Sequence, residues 1–136
     1  MKSVVLCYNL KGTKKGKKIA MIFGYLGYRV RQVEKSEYLK PIGVLAGIEE
    51  EKEESDAYEG EGFDSEMLVM HAATEDMLDK ALFLMRKENV RVDLKAMVTQ
   101  NNKDWTSIAL HEEIEKEHLY MTEKNIAKKE ERKQED

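Results

Sequence analysis

Thr99, Asn102 and Trp105 recur at three-residue steps, with Lys95 and Lys103 close by in the chain. Hydroxyl and amide groups at that spacing can hydrogen-bond the backbone of their own turn while the indole covers it, or they can offer a ligand a polar surface flanked by two cations. A few residues on, His111, Glu115 and His118 stand at i, i+4 and i+7, one face of a helix. Together they could ligate a metal ion, although a polar helix face explains them more simply. A third group, Lys14, Lys15, Lys17 and Lys18, opens a helical stretch, where free N–H groups and positive charge favour an anion.

Sharper chemistry is not supported by the spacings. Gly12-Thr-Lys-Lys-Gly16-Lys17-Lys18 has three residues between its glycines where a phosphate-binding loop needs four, and Lys18 replaces the Ser/Thr that would hold Mg²⁺. Val5-Leu-Cys-Tyr-Asn9-Leu10 has the Asn-Leu ending of an RNA-recognition strand, but Leu6 stands where an aromatic would stack on a base, and the stretch from Met67 to His71 offers no aromatic platform. No Ser/His/Asp or Cys/His arrangement can be assembled, so no catalytic residue is assigned and no cofactor is expected. The single cysteine, Cys7, sits in an apolar run and reads as a core thiol; with no second cysteine no intramolecular disulfide forms, which fits a reducing cytoplasm. The N-terminus is too short in apolar residues for a secretory signal and no 18-residue apolar run occurs, so the expectation is a soluble cytoplasmic protein without a membrane partner.

The elements that must position these side chains follow from periodicity. A chain of 136 residues suits one core, expected over residues 1–122, with a charged and frayed tail at 123–136. Residues 1–48 carry a net +8, residues 49–66 a net −9 and the remainder −3. The acidic block, with Gly60 and Gly62, is expected as a self-repelling solvated loop, and the basic front, including Lys11, Arg29 and Arg31, could hold phosphate backbones nonspecifically. Val4 to Tyr8 and Met67 to Ala72 are apolar on both faces and predict two central strands. Ile19, Ile22, Phe23 and Leu26 mark one helix face ending at Gly27; Leu78, Ala81, Leu82 and Met85 mark another, capped by Thr74 and ended by Asn89. Tyr28 to Val33 and Val90 to Val98 alternate and predict edge strands, one short helical turn is expected between Ser36 and Gly47, and a last helix runs from about Trp105 or Thr106 to Met121 with its apolar row at Leu110, Ile114 and Met121, interrupted by Glu117. The order β-α-β, acidic loop, β-α-β, α predicts an α+β fold with a ferredoxin-like sheet of strand order 4-1-3-2, both main helices on one face, and an additional C-terminal helix; an open α/β sheet is the alternative. The other sheet face then needs a cover, either the last helix or a second subunit.

The stretch Leu94-Lys-Ala96-Met-Val-Thr99-Gln-Asn-Asn102-Lys-Asp-Trp105-Thr106, followed by Leu110, Glu113, Glu117 and His118, resembles the signature of a bacterial domain-of-unknown-function family, number 3783. The resemblance covers about residues 67–121, with Gln100 in place of the Pro that usually follows the Thr, which leaves the turn less rigid. It implies a bacterial cytoplasmic protein and supplies no activity. With no catalytic constellation in view, the sequence points to a non-enzymatic regulatory or protein-interaction domain, self-associating or bound to a protein partner. Weak phosphate or nucleic-acid binding by the basic half is the alternative.

Overall fold

The computed structural model describes residues 2–119 and 121; the predicted tail at 123–136 lies outside them. Four strands and four helices alternate as β1 (Val4–Tyr8), α1 (Lys14–Tyr25), β2 (Arg29–Gln32), α2 (Ile42–Leu45), β3 (Met67–His71), α3 (Glu75–Lys87), β4 (Leu94–Met97) and α4 (107–119). This is the predicted α+β domain, with the β-α-β-β-α-β order of a ferredoxin-like sheet and an added C-terminal helix. β1 and β3 are central and antiparallel, as their two-sided apolar character requires. The edges differ from the 4-1-3-2 order: the sheet runs β2-β1-β3-β4, with β2 parallel to β1 and β4 parallel to β3. Each helix therefore joins two neighbouring parallel strands, and the two β-α-β halves meet about an approximate two-fold perpendicular to the sheet. Right-handed crossovers place α1 and α3 on the same face.

Local sequence accounts for the ends of those two helices. Thr13 and Thr74 cap α1 and α3 by accepting the N–H of Gly16 and Met77, and Gly27 and Asn89 take left-handed φ of 93° and 56° just past their ends. Below them Val5, Cys7, Leu68 and Met70 meet Ile19, Phe23, Ala81 and Met85 in one apolar layer. On the opposite sheet face Val4, Leu6, Tyr8, Met67, Val69 and Leu94 meet Tyr38, Ile42, Leu45, Leu110 and Ile114. The cover for that face is therefore α2, α4 and the acidic segment, whose Tyr58 and Phe63 pack inward. The expectation of a wholly solvated loop fails because two aromatics anchor it, and Asn9 holds its end by donating to the carbonyls of Phe63 and Ser65 at 2.8 and 2.9 Å.

β4 is shorter than the predicted Val90–Val98. The chain bends at Asp93, and across the bend the inward residues change face: Val90 and Val92 pack under α1 and α3, whereas Leu94 and Ala96 face α4. The alternation that predicts one edge strand over Val90 to Val98 is thus two short segments serving two different cores.

Candidate functional site

The junction between β4 and α4 brings Thr99, Asn102 and Trp105 together, but commits the side chains of Thr99 and Asn102 to the backbone of their own turn. Asn102 is buried; its Oδ1 accepts the Thr99 N–H at 2.8 Å and its Nδ2 donates to the Met97 carbonyl at 2.9 Å. The Asn102 N–H donates to Thr99 Oγ1 at 3.1 Å, so the two side chains close one turn between them. Trp105 packs half-buried against the core facing α4, and its carbonyl accepts the Ile42 N–H at 2.9 Å. Lys103 pairs with Glu49 at 2.6 Å, which raises the lysine's pKa and lowers the glutamate's. Lys95 lies in another hollow, beside Asp79, Arg86 and Arg91, with its Nζ donating to the Val92 carbonyl at 2.6 Å. Five residues predicted as one binding surface are therefore divided between a turn, an ion pair and a separate hollow.

His111, Glu115 and His118 do share α4 but not a site. His111 is buried with its ring stacked 3.8 Å from Phe63, and burial pushes its pKa below the usual histidine value in spite of Glu115 at 3.4 Å. His118 borders a shallow hollow with Asp93 and Glu66. Among the described residues no group of three or more His, Cys, Asp or Glu side chains is placed to hold a metal ion. Cys7 is buried, and desolvation pushes its thiol up to about 12, far from a reactive nucleophile.

Part of the basic front half is engaged by its own chain. Lys11 pairs with Glu34 at 2.9 Å, Lys15 with Glu66 at 2.6 Å and Arg31 with Glu37 at 2.6 Å. Lys14, Lys17 and Lys18 are exposed on α1. Gly16, central to the comparison with a phosphate-binding loop, has a different reason to be glycine: a Cβ there would collide with the Leu10 carbonyl.

One surface was not singled out by the sequence. Lys14, Lys18, Met21 and Tyr25 stand at i, i+4, i+7 and i+11 and form a solvent-facing stripe on α1; that spacing was the available signal, eclipsed by the buried row beside it. Met21 and Tyr25 are 74% and 85% exposed, and Phe83 on α3 is 56% exposed. Lys18, Met21, Ile22, Tyr25, Leu84 and Glu88 line a groove of about 430 Å³ between the two helices.

A small α+β domain with an exposed helical layer and its conspicuous polar side chains engaged inside turns is what fold and site define. Residues 66–121 match the model of a family described as a domain of unknown function (DUF3783), in agreement with the resemblance carried by Leu94 to His118. No curated protein and no solved structure matches the chain. Among the described residues no helix is long and apolar enough to cross a membrane.

Proposed function

We propose that this domain acts without chemistry of its own, by docking a segment of another protein on the α1–α3 layer. The observation that carries the reading is the exposure of Met21 and Tyr25 along one groove, with Phe83 also exposed on α3. Large apolar side chains concentrated this way mark interaction sites, whereas scattered ones do not. Lys14, Lys17 and Lys18 continue the surface, and α1 contains no acidic residue, so the complementary partner is an amphipathic segment with carboxylates beside apolar side chains. Covering three such side chains contributes about 1.5–3 kcal/mol each, roughly 4–9 in all, against an association cost of at least about 4 kcal/mol. The surplus of at most about 5 kcal/mol corresponds to a Kd of roughly 0.2 mM or weaker, so these contacts suit a transient partner and not an obligate one. The self-association expected through the outer sheet face loses its surface, because α2, α4, Tyr58 and Phe63 occupy it.

Peptide display against the intact protein tests the reading. Segments combining Asp or Glu with Leu, Ile or Phe should be enriched, and M21S/Y25S should lose them. The same peptides enriched by the double variant would refute it. Light scattering at tens of micromolar addresses the second copy: a dimer dissolved by Y25S would make another molecule of this chain the occupant and remove the acidic segment. Retention of a mixed-sequence oligonucleotide in place of peptide, weakening as salt rises, would instead give the lysines to phosphate.

A further inference from the structure

The family match covers one β-α-β-α unit, residues 66–121, yet the chain contains two. We propose that residues 3–48 are a second, diverged copy of that module, and that the β1–β3 seam is a module-pairing surface whose partner is another such module.

The equivalence holds hydrogen bond by hydrogen bond, with α3 one residue longer than α1. Val4 pairs with Arg29 as Met67 pairs with Leu94, and Leu6 with Arg31 as Val69 with Ala96. The Gly16 N–H reaches Thr13 Oγ1 at 2.9 Å and the Met77 N–H reaches Thr74 Oγ1 at 3.2 Å. At the far ends of these helices Tyr28 N–H donates to the Phe23 carbonyl at 2.9 Å and Val90 N–H to Met85 at 2.8 Å, each after one residue of positive φ. Past the edge strands Val33 N–H donates to Cys7 O at 3.0 Å and Val98 N–H to Met70 O at 2.9 Å. The following turns close alike: Glu34 N–H donates to Glu37 Oε1 at 3.1 Å, and Thr99 N–H to Asn102 Oδ1 at 2.8 Å. At the same distance along the chain from Glu34 and from Thr99, Pro41 and Thr106 bridge each other, and at the next residue α2 and α4 start. A generic β-α-β unit dictates the helix and the parallel strands; it does not dictate the same side-chain-closed turn, the same bridge position and the same return to the opposite face.

The seam has the self-complementarity that a two-fold contact needs. Leu6 and Val69 are equivalents and also pair with each other, so the axis passes between them. Applied to two second modules, the same register sets Val69 against Val69, Leu68 against Met70 and Met67 against His71. The strand can pair with its own copy, with residues 49–66 serving as a connector between modules.

The test is a full chain in which residues 3–48 are replaced by a copy of residues 66–113. Expected is a monomer that unfolds cooperatively and whose strand amide resonances coincide in pairs. A folded chain showing two unrelated sets of strand resonances would overturn the proposal. Where that chain fails to fold, R31A/E34T/E37N decides, because it writes the residue types of Ala96, Thr99 and Asn102 onto their equivalents. It should melt above R31A/E34A/E37A, which loses the same Arg31 ion pair without gaining the new turn; melting at or below that control would overturn the equivalence.

Discussion

Asn102→Ala should destabilise the domain by about 2–3 kcal/mol, although Asn102 lies in the most distinctive stretch of the sequence and invites a binding role. Its side chain makes two hydrogen bonds to backbone, at 2.8 and 2.9 Å, and the residue is 8% exposed. Alanine leaves the part-buried Thr99 N–H and Met97 carbonyl without partners, and an unpaired group costs about 1–3 kcal/mol when fully buried. Water can reach the turn more easily than a core strand, which favours the lower half of that range. For a domain of this length the loss corresponds to roughly 6–15 °C in Tm. Asn102→Asp keeps the acceptor but sets a carboxylate oxygen against the Met97 carbonyl, so it should do no better than alanine. Thr99→Val removes only the acceptor used by the Asn102 N–H, and should cost about half as much. Urea unfolding followed by Trp105 fluorescence and far-UV circular dichroism measures all three, with an unchanged m-value showing that the same two states are compared. An Asn102→Ala protein within about 0.5 kcal/mol of wild type would refute the reasoning, since such a side chain would not be holding the turn.

Two glycines of α1 should respond in opposite ways to alanine. Gly16→Ala drives a methyl into the Leu10 carbonyl and should lower Tm sharply, whereas Gly24→Ala, with nothing near its Cβ, should gain about 0.5–1 kcal/mol from helix propensity; thermal melts of the two variants decide it. His111 gives a pH dependence. Its folded pKa lies below the unfolded value near 6.5, so the unfolded chain binds the proton first; the stability it supports is present above about pH 6.5 and is lost as pH falls below it. The groups facing it are the Phe63 ring, Glu115 and Glu112, and both carboxylates oppose the shift without cancelling it. Tm measured at pH 7.5 and 5.5 should differ less in His111→Gln than in wild type; an identical difference would remove His111 from the account.

Much of the fold was legible because it rests on local rules. Two-sided apolar runs placed β1 and β3 in the centre, and Thr74, Gly27 and Asn89 marked helix ends by conformations their side chains favour. What periodicity could not carry was a change of face within one alternating run. Val90 and Val92 belong to one core, while Leu94 and Ala96 belong to the other, and the bend at Asp93 leaves no mark in the pattern of apolar residues. The edge order was hidden for a related reason: strand type says which strands are outermost, not which central strand each edge joins. Phe63 and Tyr58 were masked by the ten acidic residues around them, whose solvation says nothing about two rings free to turn inward.

The stretch around Asn102 invites two readings for a reason that also bears on why the repeat is hidden in the sequence. A turn after an edge strand needs its first N–H satisfied three residues on, and the chain meets that need twice with different chemistry. Asn102 does so in the second half, and its short amide, locked by a second bond to Met97, gives a compact and recognisable pattern. Glu37 does so in the first half, where its other oxygen is committed to Arg31 at 2.6 Å. One requirement of backbone geometry thus yields an amide in one place and an ion-paired carboxylate in another. Sequence likeness between the halves is lost in these two turns although their hydrogen bonds coincide, so the polar residues that look most like a site are ones that the turn geometry constrains.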